Sequence, residues 1–123
     1  MTQEQKELLL KDICARLPYK VKVQIPDEYG GYTSIIESID IDGYVVDFEG
    51  IQTEIEFIKP YLFPLSSMTE EQKKELQSLM THDSYGILYH TEESFDYLYK
   101  NNIDCRGLIP KELAIDATNL NIY

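Results

Sequence analysis

The sequence predicts a single α+β domain that spans residues 1–123. Three observations lead to this fold class. An apolar stripe with helical spacing opens the chain, four segments of alternating polar and apolar residues follow it, and two further helix-start patterns lie after the last of these segments. We therefore expect an N-terminal helix, a four-stranded antiparallel meander and a helical C-terminal half. The strand lengths suit either an open sheet or a small SH3-like barrel.

The first helix is predicted to begin at a capping box and to end before a proline. Thr2 and Gln5 have the spacing of a capping box, and Pro18 stops the helix at about residue 17. The apolar stripe of this helix consists of Leu10, Ile13, Cys14 and Leu17. Cys14 is therefore expected to be a small buried hydrophobe.

Four strands are predicted over residues 20–25, 32–41, 44–49 and 51–57, because polar and apolar residues alternate in each segment. Asp42-Gly43 fits a two-residue hairpin turn between the second and third strands. In the third strand the alternation places Tyr44, Val46 and Phe48 on the inner face. Glu37 shares the parity of the inward isoleucines of its strand, a conflict that a β-bulge would resolve.

The C-terminal half is predicted to start where Lys59-Pro60 closes the sheet. A second helix begins at a capping box formed by Thr69 and Gln72, and a third helix begins at Thr91. A short strand is expected over residues 85–89. Pro110 has the position of the first residue of a further short helix.

The charge excludes one class of function. The formal net charge is −11 and the isoelectric point is about 4.5. Direct binding to nucleic-acid phosphates is not expected, because that affinity comes mostly from lysine and arginine. Residues 23–58 contain no basic residue but hold these acidic residues: Asp27, Glu28, Glu37, Asp40, Asp42, Asp47, Glu49, Glu54 and Glu56.

The acidic segment is the candidate functional surface. Asp47, Glu49, Glu54 and Glu56 are predicted to share the outer face of the third and fourth strands, with Tyr29 and Tyr32 in an adjacent contact patch. Replacing both tyrosines by alanine is expected to leave folding intact. Three interpretations stay open at this point: a solvated face that keeps the protein soluble, a surface that attracts a basic protein, and a mimic of the phosphate rows of nucleic acid.

Catalytic patterns receive the least support. A metal site would need His82 and His90 as ligands, with Asp83 or Glu93 as a third. The spacing of the two histidines is not that of an established metal motif. No cysteine–histidine pair, phosphate-binding loop or nucleophile elbow is recognisable. We expect no cofactor and no enzyme activity, with a small metal-dependent enzyme as an alternative. Near the C-terminus, Asp104 and Arg106 are expected to pair with each other across a glycine turn.

The N-terminal residues lack the features of a signal peptide, and no apolar run approaches the length of a membrane span. The two cysteines, Cys14 and Cys105, fit a reducing compartment rather than a disulfide framework. We therefore expect a cytoplasmic protein without membrane contact. The sequence leaves the oligomeric state open.

Three stretches resemble a family of small uncharacterised proteins encoded by phages and mobile elements of gut Bacteroidetes. They are Asp12-Ile13-Cys14-Ala15-Arg16-Leu17-Pro18-Tyr19, then Ile58-Lys59-Pro60-Tyr61-Leu62 with Pro64-Leu65-Ser66-Ser67-Met68-Thr69-Glu70-Glu71, and Asp104-Cys105-Arg106-Gly107-Leu108-Ile109-Pro110 with Leu113-Ala114. The resemblance implies a setting but no activity and no site residues. Phe63 and Cys105 depart from the family pattern, which has a basic and an aromatic residue there.

Together these observations predict a non-catalytic interaction protein of a phage or mobile element that binds a host or phage protein through an acidic, tyrosine-containing surface. The partner is expected to be a protein, either basic or nucleic-acid-binding. The alternative is an acidic nucleic-acid mimic that inhibits a host defence or DNA-processing protein.

Overall fold

The computed structural model describes residues 1–40 and 42–123. Helix α1 (Gln3–Arg16) begins after Thr2, whose hydroxyl accepts a hydrogen bond from the Gln5 backbone N–H while the Gln5 side chain accepts one from the Thr2 N–H. The predicted capping box is confirmed. A 3-10 turn over Leu17–Tyr19 follows directly, with Pro18 inside it.

The buried face of α1 differs from the predicted one. The buried residues are Leu9, Asp12, Ile13 and Arg16, whereas Cys14 is exposed. The prediction that Cys14 is buried is therefore wrong. Asp12 and Arg16 pair with each other, which allows two charged residues to occupy positions that an apolar pattern assigns to the outside.

Five strands follow α1 in the chain: β1 (Lys22–Gln24), β2 (Thr33–Ile39), β3 (Tyr44–Asp47), β4 (Gln52–Glu54) and β5 (Lys59–Leu62). Each of the first four pairs antiparallel with its neighbour in sequence, so the predicted four-stranded meander is matched in part, but β5 extends the sheet beyond these strands. β4 is shorter than predicted because the chain turns into a 3-10 turn over Ile55–Phe57. Ile41, the predicted end of the second strand, lies outside the described residues.

Lys59 and Pro60 do not close the sheet, contrary to the prediction. They open β5, which returns to pair antiparallel with β1, with Pro60 opposite Val23. Proline has no N–H to donate, so it argues against a strand in the sequence. Here it precedes Tyr61 and Leu62, the two residues of β5 that pair on the other side of the strand.

The C-terminal half is only partly helical. It contains α2 (Glu70–Leu79), the hairpin of β6 (Thr81–His82) and β7 (Leu88–Tyr89), α3 (Glu92–Lys100) and the short strand β8 (Ile115–Asp116). The predicted capping box at Thr69 opens α2, and α3 begins after Thr91 as predicted, with a capping box that Ser94 completes. The predicted strand over residues 85–89 is present only in its last two residues. The segment after Pro110 forms turns rather than a helix.

The six-stranded sheet has the order β4-β3-β2-β1-β5-β8, antiparallel except for the β5–β8 pair. The register of β2 against β3 shifts between Ile36 and Ser38, so Glu37 is the irregular residue and its predicted parity conflict is resolved by a bulge. The molecule is therefore α+β with a mostly antiparallel sheet.

The inner face of β3 has the opposite parity to the predicted one. Val45 and Asp47 are buried, whereas Tyr44 and Phe48 are exposed. The sequence pattern placed Tyr44, Val46 and Phe48 inside because carboxylates usually face solvent. Asp47 lies inside because its oxygens have hydrogen-bond donors within the fold.

The core lies between α1 and the sheet. Leu9 and Ile13 of α1 pack with Val23 of β1 and Leu62 of β5, and Leu108 closes the cluster from the C-terminal segment. A smaller apolar cluster beneath α3 contains Met68, Leu98 and Ile103. Among the described residues, no helix combines the length and the apolar character needed to cross a membrane.

Candidate functional site

Three of the predicted site residues, Tyr32, Asp47 and Glu49, come together at the end of β3. The Tyr32 hydroxyl donates a hydrogen bond of 2.5 Å to Asp47 Oδ2. Asp47 Oδ1 accepts from the backbone N–H of Glu49 at 2.9 Å and from that of Ile51 at 3.0 Å. Asp47 thereby fixes the turn between β3 and β4.

Asp47 is not a surface residue. It is only 2% exposed, whereas Glu49 is exposed and Glu54 and Glu56 are half-buried. The expectation that Asp47 shares the outer face with the other three carboxylates is therefore wrong. The oxygens of Asp47 bind Tyr32 and the turn backbone, so its role is to fix the shape of the β3–β4 turn.

The phenol of Tyr32 is held in its neutral form by its surroundings. Burial and the hydrogen bond to Asp47 raise the pKa of Tyr32 to about 12, and the charges of Asp47 and Glu49 act in the same direction. A carboxylate favours the protonated phenol because that form donates the bond. Tyr32 is thus part of the folded framework.

Tyr29 forms an exposed aromatic pair with Phe57, whereas Tyr32 binds Asp47. The ring centroids are 5.7 Å apart, and the side chains are 42% and 40% exposed. Tyr29 ends a 3-10 turn over Asp27–Tyr29, and Phe57 ends the 3-10 turn after β4. Phe57 is not among the predicted site residues, because its parity in the fourth predicted strand indicates a core position.

The loop that presents Tyr29 depends on a glycine. Gly31 has a φ of 62°, and a Cβ atom built on it would lie 2.5 Å from Asp27 Oδ1. A side chain at this position would displace the Asp27 carboxylate and strain the backbone. Gly31 therefore keeps the Asp27–Tyr29 turn close to the start of β2.

A cleft of about 370 Å³ opens beside this loop. Its lining includes Asp27 and Glu28 on the loop, Tyr32 at the start of β2, and Tyr61 on β5. The residues that line the cleft include no lysine or arginine. Two carboxylates next to tyrosine rings suit the side chain of a lysine or arginine, which an aromatic face and a carboxylate both attract.

Glu54 and Glu56 occupy the other end of the acidic segment. Tyr44 donates a hydrogen bond of 3.4 Å to Glu54 Oε1, and the nearby Glu54 charge is the largest of the influences that raise the pKa of Tyr44. Glu56 directly precedes Phe57 in the 3-10 turn. We use the name acidic surface for the set Asp27, Glu28, Tyr29, Glu49, Glu54, Glu56 and Phe57.

Within residues 23–40 and 42–58, no carboxylate takes part in an ion pair. Among the described residues, ion pairs join Asp12 to Arg16 and to Arg106, and Glu70 to Lys73. None of them includes a carboxylate of the acidic segment. Lysines do lie nearby, since Lys22 lines the same cleft as Glu49 and Lys20 the same cleft as Glu37, but neither forms an ion pair there.

Arg106 does not pair with Asp104, contrary to the prediction. Asp104 instead accepts hydrogen bonds from the backbone N–H groups of Arg106, Leu108 and Ile109. The Arg106 guanidinium reaches across to Asp12 Oδ1 at 3.1 Å. The two residues stabilise the C-terminal segment separately, one through the turn and the other through α1.

The buried cluster around Asp12 is the polar feature that the sequence analysis missed. Arg16 donates to Asp12 through Nε at 2.8 Å and to the Ile103 carbonyl through Nη2 at 2.7 Å. Arg106 also donates to the Tyr99 hydroxyl at 3.2 Å, and both guanidinium groups lie over the Tyr99 ring. The spacing of Asp12 and Arg16 by four residues on a helix was the available signal.

His90 has local contacts, whereas His82 is exposed in β6, opposite Leu88. His90 Nδ1 lies 3.0 Å from Ser94 Oγ, and its ring packs on Phe95. Asp83 accepts backbone hydrogen bonds within the β6–β7 turn. Within residues 1–40 and 42–123, no group of three or more His, Cys, Asp and Glu residues is arranged to hold a metal ion.

Comparisons of the chain with protein-family models, with curated proteins and with solved structures gave no match.

Proposed function

We propose that this chain is a non-catalytic protein-interaction module that binds a basic partner protein through the acidic surface. The observation that carries the proposal is that, among the described residues, no carboxylate of residues 23–58 is in an ion pair, while the Tyr29–Phe57 pair of the same segment is exposed. A segment with acidic residues and no basic ones attracts a basic partner. Aromatic side chains supply contact area at the centre of such an interface.

Tyr29 and Phe57 are the proposed anchors of the interface. They are exposed, and the contact between their rings fixes their relative orientation before a partner binds. Little side-chain entropy is then lost on binding. Asp27 and Glu28 in the adjoining cleft would receive lysine or arginine side chains of the partner.

We further propose that β1 to β5 form a small SH3-like barrel. β2 pairs with β1 before its bulge and with β3 on both sides of it, and β5 returns to β1 after a single 3-10 turn. This order places the β1–β2 loop and the turn after β4 side by side, as the contact of Tyr29 with Phe57 requires. A fold of this kind does not by itself define a function.

The proposed setting is the cytoplasm of a host cell, where the protein would serve a phage or mobile element. The resemblance of the three sequence stretches supports the setting. The two cysteines, neither of which forms a disulfide, support a reducing compartment.

The test is affinity capture from host lysate with two triple variants. Glu49→Gln, Glu54→Gln and Glu56→Gln remove three charges from the acidic surface, and the control Glu4→Gln, Glu7→Gln and Glu71→Gln removes three exposed charges elsewhere. We expect the first variant to lose most of the captured protein, by about tenfold or more, and the control to retain it. Equal capture by both variants would contradict the proposal.

Nucleic-acid mimicry is the second candidate, and the same unpaired carboxylates favour it. Added DNA distinguishes the two functions, because a mimic competes with nucleic acid for its target whereas an interaction module does not. Mimicry also requires that binding falls steeply between low and high salt. A partner that DNA leaves bound and that survives moderate salt would support the first candidate.

A further inference from the structure

The β6–β7 hairpin carries a second exposed surface, and this one is apolar. Tyr85 is 89% exposed, Ile87 57%, Leu88 46% and Tyr89 51%. Phe95 of α3 is also exposed and packs against His90, which directly follows β7. We use the name hairpin patch for Tyr85, Ile87, Leu88, Tyr89 and Phe95.

The hairpin is held in a defined conformation. Asp83 Oδ1 accepts hydrogen bonds from the backbone N–H of Tyr85 at 2.8 Å and of Ile87 at 3.0 Å, and Tyr89 donates to Asp83 Oδ2 at 3.1 Å. The backbone hydrogen bond from Ile87 is the largest of the influences that lower the pKa of Asp83. The carboxylate therefore stays charged at neutral pH and keeps the turn closed.

The base of the hairpin is tied to the helices. The Thr91 hydroxyl donates a hydrogen bond of 2.6 Å to the carbonyl of Leu79, which joins the start of α3 to the end of α2. The exposed side chains thus project from an anchored turn. Leu88 and Tyr89 are successive residues of β7, so the exposed side chains lie on both faces of the hairpin. Large apolar side chains exposed together on one short segment mark an interaction site more often than isolated ones do.

The charges around the hairpin patch identify the kind of partner. Asp83, Glu92, Glu93 and Asp96 lie on the hairpin and on the first turns of α3, whereas Lys100 is the single lysine or arginine of residues 81–100. Among the described residues, none of these four carboxylates is in an ion pair. A second copy of this chain would bring like charges together, which disfavours it as the occupant.

We infer that the hairpin patch binds an apolar surface of a second protein that is bordered by lysine and arginine residues. The apolar side chains of the hairpin supply the centre of this interface, and the α3 carboxylates form its rim. The interface is separate from the acidic surface and rests on different residues. It would let the chain contact two proteins, or two regions of one protein.

The probe for this inference is a synthetic amphipathic peptide made of leucine and lysine, with a counterpart that has glutamate in place of lysine. Fluorescence anisotropy measures the binding of each peptide to the full chain. The Tyr85→Ser, Leu88→Ser double variant should weaken the lysine peptide by about tenfold or more. The glutamate peptide should not bind, because the rim repels it.

The β3–β4 turn offers a matched control. Phe48 is 69% exposed and Ile51 is 41% exposed, on a turn that Asp47 holds as Asp83 holds the other one. The Phe48→Ser, Ile51→Ser variant should bind the lysine peptide as the unmodified chain does. Unfolding curves of both variants establish that the serines have not disrupted the fold.

Three results would overturn the inference. In the first, the hairpin variant binds the lysine peptide undiminished and the Glu49, Glu54, Glu56 triple variant loses it. The peptide would then bind at the acidic surface, and the proposed function would still hold. Equal binding of the lysine and glutamate peptides would mean that the partner needs no lysine or arginine residues around its apolar surface. A dimer in light scattering that the hairpin variant dissociates would make a second copy of the chain the occupant.

Discussion

The hydroxyl of Tyr32 donates a hydrogen bond of 2.5 Å to Oδ2 of Asp47, which is 2% exposed at the end of β3. The second oxygen of the same carboxylate closes the β3–β4 turn. One tyrosine and one aspartate that the sequence suggested as partner contacts therefore belong to the internal framework beneath the acidic surface.

The first prediction concerns this bond. Tyr32→Phe should lower the free energy of unfolding by about 1.5–3 kcal/mol, because a buried carboxylate loses a donor. Urea denaturation with an unchanged slope provides the measurement. Tyr44→Phe is the control, since its bond to Glu54 is longer and exposed, and it should change stability by no more than about 0.5 kcal/mol. Equal losses in the two variants would mean that the Tyr32 hydrogen bond stabilises the fold no more than the exposed Tyr44 bond does.

The second prediction concerns alkaline pH. The pKa of Tyr32 is raised from 10.0 to about 12, so the folded chain keeps a phenolic proton that the unfolded chain loses. Stability is therefore unaffected below pH 10 and falls as the pH rises from about 10 to about 12. Absorbance titration should show late ionisation of Tyr32, and the difference from Tyr32→Phe isolates it. Ionisation of that residue near pH 10 would contradict the assignment.

The third prediction concerns the buried ion pair of α1. Asp12→Ala leaves the fully buried Arg16 without its carboxylate and should cost about 3–5 kcal/mol in the free energy of unfolding. Glu70→Ala removes the exposed pair with Lys73 and should cost less than about 1 kcal/mol. The double variant Asp12→Leu, Arg16→Met should be more stable than Asp12→Ala, because it leaves no unpaired charge at these two positions. A double variant that is the less stable of the two would show that Arg16 stabilises the fold through its other contacts, such as the Ile103 carbonyl, even without Asp12.

The fourth prediction concerns the cysteines. Cys14 is exposed, whereas Cys105 is partly buried and that burial raises its pKa. The thiolate is the reactive form, so a thiol reagent at neutral pH should modify Cys14 first and Cys105 slowly. Mass spectrometry of the digested protein at successive times measures both rates. Faster modification of Cys105 would contradict the position of Cys14 on α1.

The sequence predicted the local elements well where their signals are local. Thr2 and Thr69 cap their helices as the capping-box pattern requires, and Glu37 lies at the bulge that its parity conflict suggested. These features depend on hydrogen bonds between residues a few positions apart. Such contacts can be predicted from spacing alone.

The sequence did not predict which polar residues lie inside. The apolar stripe predicted for α1 includes Cys14 but neither Asp12 nor Arg16, and the parity predicted for β3 places Phe48 inside and Asp47 outside, whereas the structure buries Asp12, Arg16 and Asp47. Each of the three is buried because donors or acceptors meet it from elsewhere in the chain, such as Tyr32 for Asp47 and the Ile103 carbonyl for Arg16.

The candidate surfaces also have some features that the sequence predicts and others that only the tertiary structure shows. The sequence alone determined that the chain is acidic, that residues 23–58 lack any basic residue, and that an N-terminal helix precedes a series of antiparallel strands. Only the tertiary structure decided that Tyr29 meets Phe57 and that the β6–β7 hairpin leaves its apolar side chains in solvent. The physical reason is that charge and periodicity are properties of neighbouring residues, whereas burial depends on which distant segments pack against them.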